Sequence, residues 1–343
     1  MSRADGMAWQ PVIASWDVTR ACDAGCLHPR GERELSTTEA LALVAQLVEL
    51  GPRLVVLGGD DPLQRPGLED IVAAAVDGGL RVGLALAPTP LLTPRRLQRF
   101  ARLGVVRVAL GLDGFDAPTH DVRRGTGSFA ATRAAIAAVQ DAGLPLELET
   151  RLTLRSVGHL VRTAALVEEI RPALWNVDFI VPTGRWLGEP ALGPDACERV
   201  LDFLCAWHRL RGMAVKTTSA PAFHRVWLQQ RIARHAGPRP AGSWRPALNE
   251  GRGLVFVSHT GDIQPSASLP LTTANVREEP VGVVYRRSRL FRALRDTSRL
   301  EGKCANCHFR HLCGGSRARA FASSGNFLAA DPACAYRSAA VDP

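Results

Sequence analysis

The feature that most constrains the fold is a regular alternation of short apolar runs and longer amphipathic segments from Pro11 to about Ala236. Short runs rich in Val, Ile and Leu are typical of strands, and segments with helical apolar spacing follow them. Such an α/β chain builds a parallel sheet. About six consecutive βα units predict a partial (β/α) barrel, with functional residues at the C-terminal ends of its strands.

The individual elements can be read along this alternation. The first helix is predicted to begin at "STTE", because Ser36 can cap it while Glu39 reaches back. Further helices are predicted over residues 67–77, 93–103, 128–142, 157–170 and 194–210. The strands are predicted at PVIASWDVT, RLVVLG, LRVGLALA, VVRVALGL, LELETRLTL and ALWNVDFIV, with a further one at MAVKTTS.

Three short motifs follow predicted strands. The first strand leads into "TRACDAGCLHPRG", which carries Cys22 and Cys26, the second leads into "GGDDP", and the fourth ends in "GLDG". Because the C-terminal ends of barrel strands share one face, all three motifs are expected at the same mouth.

The composition changes after the last predicted βα unit. A stretch rich in Pro, Gly, Arg and Ser, "AGPRPAGSWRPALNEG", reads as a linker, and a hairpin turning at Gly261 and Asp262 is predicted beyond it. We therefore expect a barrel over residues 1–236, a linker over 237–252 and a small cysteine-rich C-terminal domain over 253–343.

The charge pattern bears on possible partners and location. The formal net charge is +9, from 42 basic and 33 acidic residues, but the basic residues are almost all arginines spread along the chain. We therefore expect no nucleic-acid partner, which would favour a clustered basic patch. No apolar run reaches membrane-spanning length and the N-terminus lacks a signal-peptide pattern, so a cytoplasmic protein without a membrane partner is expected.

Cysteine spacing gives the strongest indication of a metal site. Cys197 and Cys205 lie in an apparent helix and are expected in the core. Four C-terminal cysteines have the spacing C-x2-C-x5-C-x20-C, which suits either a four-iron four-sulfur cluster or a tetrahedral zinc ion. Spacing alone does not separate these alternatives. The four residues are Cys304, Cys307, Cys313 and Cys334.

The residues around these cysteines resemble a known family. The segment "CGGSRARA", followed by "DPAC", resembles the auxiliary-cluster segment of radical S-adenosylmethionine (SAM) enzymes of the SPASM group. The N-terminal motifs "WDVTRACDAGCLH", "GGDDPLQRP" and "VALGLDGFDAPTHDVRRGTGSF" resemble the first, second and fourth strand regions of the same family. The resemblance covers nearly the whole chain and is nearest to the branch related to haem-biosynthesis radical SAM proteins.

The resemblance implies two cofactor sites. It implies a [4Fe-4S] cluster on the four C-terminal cysteines, and a second cluster with SAM at the barrel mouth, where Cys22 and Cys26 match the first two ligands. SAM cleavage there, driven by an external electron donor, would give a 5′-deoxyadenosyl radical. The positions implied to contact this cofactor are Gly58, Gly59, Asp61 and Asp113. No catalytic residue is assigned.

The chain departs from the family pattern at the mouth. Pro29 stands where the third cluster cysteine is expected and offers neither a thiolate nor an N–H. Asp60 replaces the second glycine of the second-strand motif, and Gly111 replaces the usual serine before Leu-Asp-Gly. These three changes predict impaired or altered radical initiation.

Three functional hypotheses follow. The first is a radical SAM/SPASM protein that modifies a porphyrin-like or peptide substrate, the second is a non-catalytic relative that binds a ligand or transfers electrons, and the third is a zinc-binding structural protein. Trp16, Trp175 and Trp186 either stack on a planar substrate or pack in the core. Arg317 and Arg319 either lie near an anionic cluster or form a solvated helix face.

Overall fold

The computed structural model describes residues 10–21, 33–234 and 247–338. Cys22, Cys26 and Pro29 therefore lie outside the described residues, as does most of the predicted linker. Within the described residues, no helix is long and apolar enough to cross a membrane.

One mostly parallel sheet organises the described chain. Its spatial order is β10-β9-β8-β1-β2-β3-β4-β5-β6-β7. The first seven strands are parallel to their neighbours, β8 is parallel to β1, and β9 and β10 are antiparallel. This confirms the predicted partial barrel, including its further strand at MAVKTTS. The strands are β1 (Ile13–Thr19), β2 (Leu54–Gly59), β3 (Val82–Ala85), β4 (Arg107–Gly111), β5 (Leu146–Leu152), β6 (Leu174–Phe179), β7 (Val215–Thr218), β8 (Leu254–Val257), β9 (Asp262–Gln264) and β10 (Ala274–Asn275).

Helices connect the strands and cover the outer face of the sheet. The predicted capping box is present, because Ser36 accepts the Glu39 N–H while Glu39 accepts the Ser36 N–H. The helices are α1 (Thr37–Leu50), α2 (Leu68–Asp77), α3 (Pro94–Arg102), α4 (Ala117–Arg124), α5 (Ser128–Asp141), α6 (Leu160–Ile170), α7 (Pro194–Arg211), α8 (Ala222–Ala233), α9 (Val281–Arg287), α10 (Arg289–Arg295) and α11 (Arg317–Ser324).

Two of the helices near the barrel, α4 and α8, were not predicted. Helix α4 has no apolar stripe, since His120 is its one buried residue. It is held instead by Asp116, which caps it reciprocally with Thr119, and by the Asp113 N–H donating to His120 Nδ1 at 3.2 Å. Only three residues of α8 are buried, and one of them is Arg225.

Strand β5 shows how the barrel separates its two faces. Leu146, Leu148 and Leu152 are buried in the apolar core, while the alternate residues Glu147, Glu149 and Arg151 share the other face. Charged residues therefore line the inner side of this part of the barrel.

The core contains two of the tryptophans considered for substrate stacking. Trp16 on β1 and Trp175 on β6 are almost completely buried, and the Trp175 ring lies edge-on to Trp207 at 4.9 Å. Cys197 and Cys205 are also buried, as predicted, and burial raises their pKa values to about 11 and about 12.

The predicted hairpin is formed by β8 and β9, but its turn lies at residues 258–261, so Asp262 begins β9 instead of belonging to the turn. Strand β8 then pairs with β1, so the chain beyond the linker extends the sheet begun at the N-terminus. The division into barrel, linker and C-terminal domain stays a prediction.

Candidate functional site

The ends of β1 and β2 are locked together at the barrel mouth. The peptide N–H groups of Asp60 and Asp61 donate to the carbonyl oxygens of Thr19 and Ala21, at 3.3 and 3.1 Å. Gly59 has φ +125°, and a Cβ there would lie 2.2 Å from the Thr19 carbonyl oxygen. Only glycine fits this position. The neighbouring Gly58 is less restricted, since a Cβ there would make ordinary contacts.

Glu34 anchors the two sides of the segment that carries Cys22 and Cys26. Its Oε1 accepts hydrogen bonds from Thr19 Oγ1 at 2.9 Å and from the Arg20 N–H at 2.8 Å. The buried Arg65 lies 3.5 Å from Glu34 Oε2 and also donates to the Leu35 carbonyl oxygen. The points where the chain leaves β1 and re-enters before α1 are thereby held by groups outside the cluster motif.

Asp61 is fully buried behind the second-strand motif. Its Oδ1 accepts the Leu63 N–H at 3.1 Å and its Oδ2 accepts the Thr89 hydroxyl at 2.9 Å. The carboxylate thus shapes the turn at Pro62–Gln64. A cofactor contact by Asp61 stays a prediction.

Buried Asp113 and the partly exposed Arg124 form an ion pair beyond β4. Arg124 Nε donates to Asp113 Oδ2 at 2.7 Å, and the Arg151 N–H donates to Oδ1 at 2.9 Å. Burial alone would raise the pKa of Asp113, but the guanidiniums of Arg124 and Arg151 outweigh it and hold the pKa below its ordinary value. Asp113 is therefore a fixed negative charge at the mouth.

The guanidinium of the same arginine lies against Gly111. A Cβ at Gly111 would lie 1.9 Å from Arg124 Nη2 and 2.4 Å from its Cζ. A serine side chain at this position would therefore displace the guanidinium. The sequence showed a missing hydroxyl here, and the structure shows a cation in its place.

The four C-terminal cysteines converge on one cavity. The cavity is partly open to solvent and lies beside the first residue of α8. Within residues 10–21, 33–234 and 247–338, no three Cys, His, Asp or Glu side chains are placed to hold a single metal ion. The cavity is lined by Ala222, Arg225, Cys304, Cys307, Phe309, Arg310, Cys313, Gly314, Gly315, Asp331 and Cys334.

Hydrogen-bond donors point at three of the sulfurs. The N–H of Phe309 lies 3.4 Å from Cys307 Sγ, and the N–H of Gly315 lies 3.3 Å from Cys313 Sγ. Arg317 Nη2 lies 3.9 Å from Cys304 Sγ. Such donors stabilise anionic sulfur.

Burial, in contrast to these donors, disfavours the thiolate form of the cysteines. It raises the pKa of Cys313 to about 12 and also raises the pKa values of Cys307 and Cys334. A bound cation or cluster would offset this effect of burial and favour the thiolates.

The two arginines of the "GGSRARA" motif are buried, so the solvated-face interpretation is wrong. Arg317 donates to the carbonyl oxygens of Phe327 and Ala329, at 2.9 and 2.7 Å. Arg319 Nε donates to Asp331 Oδ1 at 2.9 Å and its Nη2 donates to the Ser219 carbonyl oxygen at 2.7 Å. The second contact joins the cysteine-rich segment to the loop after β7.

Arg225 was missed by sequence reasoning. It lines the cysteine cavity, is buried, and donates to Glu198 Oε1 at 2.8 Å and to Gln229 Oε1 at 2.7 Å. Its guanidinium also lies 5.1 Å from the ring centre of Tyr336. No local signal in α8 distinguishes this residue from a surface arginine.

Comparisons with known proteins agree with this arrangement. Residues 18–171 match the radical SAM superfamily. The AdoMet-dependent heme synthase of Methanosarcina barkeri is 33% identical over 339 residues, which cover 95% of this chain and 97% of that protein. The mycofactocin maturase MftC of Mycobacterium tuberculosis is 29% identical over 338 residues, covering 94% and 83% of the two chains.

A solved structure shows the same fold. Streptococcus suis SuiB bound to S-adenosylmethionine matches with a TM-score of 0.75 at 12% identity, over 96% of this chain and 78% of that chain. At this identity the likeness concerns the fold.

Proposed function

The chain belongs to the radical SAM superfamily, in the branch related to haem-biosynthesis enzymes, and on that premise we propose an iron–sulfur protein acting on a porphyrin-like substrate. We further propose that its initiation of radical chemistry is impaired or altered. The observation that carries the first part is the convergence of four cysteines on one cavity with donors at three sulfurs.

We infer a [4Fe-4S] cluster rather than zinc in this cavity, because all four cysteines line it and the radical SAM family implies iron–sulfur cofactors. Cys304, Cys307, Cys313 and Cys334 would hold the cluster, which supplies electron transfer when bound.

The protein's own groups would then set the properties of that cluster. The N–H groups of Phe309 and Gly315 and the guanidinium of Arg317 stabilise negative charge on sulfur. Arg225 adds a positive charge at the wall, held in place by Glu198. An external electron donor is part of this proposal.

The barrel mouth supports the second part of the proposal. A cluster with SAM bound there would supply a carbon-centred radical for hydrogen abstraction. Gly59 allows the close approach of β2 to Thr19, but Arg124 lies in the space beside Gly111 and Pro29 stands in place of the third cysteine. These same residues favour the second candidate function, a non-catalytic relative that binds a ligand or transfers electrons.

A porphyrin-like substrate is favoured over a peptide by the curated relatives. The heme synthase of Methanosarcina barkeri shares 33% identity over nearly the full length of both chains, against 29% for the mycofactocin maturase.

Iron analysis of anaerobically purified protein, with and without SAM, tests the proposal. About four irons per chain are expected from one four-iron cluster, against about eight from two. A colourless protein with stoichiometric zinc would refute the iron–sulfur assignment.

A matched pair of variants tests the impairment. Pro29→Cys restores the thiolate, whereas Pro29→Ala removes the ring without adding a ligand. We expect 5′-deoxyadenosine from the reduced Pro29→Cys protein and little from Pro29→Ala or the natural chain. Equal production by all three proteins would contradict impaired initiation.

A further inference from the structure

The cysteine cavity has a buried side and a side that faces solvent. Cys307 and Cys334 are half-exposed, whereas the other two cysteines of the cavity are buried. Asn306 and His308, on either side of Cys307, are exposed, and the cavity is partly open to solvent. A redox centre held by these cysteines therefore lies nearest the protein surface on the side of Cys307 and Cys334.

Basic side chains lie around this opening. Arg310 lines the cavity and donates to the Ala305 carbonyl oxygen at 2.9 Å. Lys303 Nζ donates to the Cys334 carbonyl oxygen. Both side chains belong to half-exposed residues, whereas Arg225, in the cavity wall, is buried. We call Lys303 and Arg310 the cationic rim.

Ring contacts bring the two segments of the opening together. Phe309, which lines the cavity, has its ring centre 5.2 Å from that of Tyr336. The Tyr336 ring centre also lies 5.1 Å from Arg225 Cζ. Residues 303–310 and 334–336 therefore meet at the opening, and the rim belongs to one continuous surface.

Little negative charge opposes the rim. Between residues 302 and 338 the sequence has one acidic residue, Asp331, and it is buried in the ion pair described above. Glu198 is occupied by Arg225, which donates to both of its carboxylate oxygens. Glu301 is exposed just before this segment and accepts a hydrogen bond from an asparagine side chain.

Arginines on the buried side balance the charge of the cluster itself. A [4Fe-4S] cluster on four thiolates has a formal charge of about −2 in its oxidised state. Arg317 Nη2 lies 3.9 Å from Cys304 Sγ, and Arg252 donates to the Cys313 carbonyl oxygen at 3.0 Å. The charge of the cationic rim is therefore left for a partner outside the protein.

We propose that the cationic rim docks an acidic electron-donor protein, which passes electrons to the cluster past Cys307 and Cys334. This inference rests on the C-terminal cluster and the external donor of the proposed function. One electron leaves the reduced donor, which is oxidised, and the cluster is reduced by one electron, with no bond formed or broken. Redox partners commonly form small, transient interfaces, in which complementary charge sets the association rate.

Stopped-flow reduction tests the docking surface. The probe is a reduced plant-type [2Fe–2S] ferredoxin, an acidic protein with a potential of about −400 mV. It is mixed anaerobically with the natural chain, with Lys303→Gln, with Arg310→Gln, and with the double variant Lys303→Glu/Arg310→Glu. Calorimetric binding of oxidised ferredoxin gives a second measurement that involves no electron transfer.

Two controls separate docking from damage to the cluster. Reduced methyl viologen is a small cation that needs no docking surface, so a loss of negative steering does not slow it. Arg287→Glu reverses an exposed charge on α9, a helix whose first residue, Val281, donates to Gln46 of α1 at 3.0 Å. Iron content and melting curves check every variant.

The expected result is a loss that depends on salt. At about 20 mM salt the double variant should be reduced by ferredoxin about tenfold to a hundredfold more slowly, and each single variant about twofold to fivefold. At about 0.5 M salt screening should bring all rates within about twofold of one another. Arg287→Glu should behave like the natural chain, and methyl viologen should reduce the double variant at least as fast.

The outcomes that would overturn the inference are distinguishable. If ferredoxin binds and reduces the natural chain and the double variant equally at low salt, or if Arg287→Glu loses as much, the docking surface is wrong and the cluster stands. If methyl viologen slows in parallel with ferredoxin, Lys303 and Arg310 support the cluster and do not dock a donor. Protein that contains no iron would overturn the proposed function itself.

Discussion

Restoring the family's serine at Gly111 is predicted to harm this protein. Gly111 does not adopt a positive φ, so serine is acceptable to the backbone. Its Cβ, however, would lie 1.9 Å from Arg124 Nη2 and 2.6 Å from Nη1. The guanidinium must move, which the end of a flexible, partly exposed side chain can do, and its 2.7 Å hydrogen bond to Asp113 is lengthened or broken.

The size of the destabilisation depends on the contacts that Asp113 keeps after Arg124 is displaced. Removing one partner of a buried ion pair costs about 3–5 kcal/mol. Here the Arg124 side chain is 21% exposed and can reach water, and Asp113 keeps the Arg151 N–H at 2.9 Å. We therefore expect Gly111→Ser to lower the free energy of unfolding by about 1–2 kcal/mol.

Urea unfolding of a double-mutant cycle measures this effect. In an Arg124→Ala background the obstruction is absent, so adding Gly111→Ser should cost less than about 0.5 kcal/mol. Gly158→Ser is the control, because a Cβ at Gly158 would meet nothing within 4 Å. Additive losses in the cycle, with no coupling between Gly111 and Arg124, would refute the steric argument.

The remaining predictions concern the cysteine-rich segment. Asp331→Asn leaves buried Arg319 without its carboxylate, so it should lower the free energy of unfolding by about 3–5 kcal/mol at neutral pH. Urea unfolding measures this loss, and a loss below about 1 kcal/mol would contradict the prediction. Burial alone would raise the pKa of Asp331, but Arg319 lowers it below 3.8. The ion pair's contribution to the free energy of unfolding is therefore complete above pH 3.8 and is lost as the pH falls toward the folded pKa. The difference in stability between Asp331→Asn and the natural chain should therefore decrease in acid. Arg317→Met removes a hydrogen-bond donor 3.9 Å from Cys304 Sγ and should make the cluster's reduction potential more negative by roughly 30–60 mV. Arg317→Lys should give an intermediate potential. Redox titration measures this shift, and an unchanged potential would contradict the role of Arg317.

Much of the barrel could be predicted because its signals are local. The apolar runs fall on the strands of the sheet, and the Ser36–Glu39 capping box forms as its spacing indicated. Helix α4 was missed because it is held by His120 and by its cap, and neither gives an apolar period.

The candidate site shows where such local reasoning ends. The C-terminal cysteines were identified from their spacing and surrounding motif, and they line one cavity. Arg225 could not be identified, since a buried arginine and a surface arginine have the same local pattern in α8. From the sequence, Gly111 indicated only the loss of a serine hydroxyl. The tertiary structure shows that the Arg124 guanidinium lies where a side chain at Gly111 would be.

Glu34 has a consequence for how this protein could have evolved. Because its carboxylate binds Thr19 and Arg20 on one side and lies near Arg65 on the other, both ends of the intervening segment are fixed without any metal ligand. Loop closure is therefore already secured by ordinary side chains. Selection can therefore act on the barrel and on its metal ligands separately. A lineage could replace a ligand cysteine, as at the position of Pro29, and still keep the barrel.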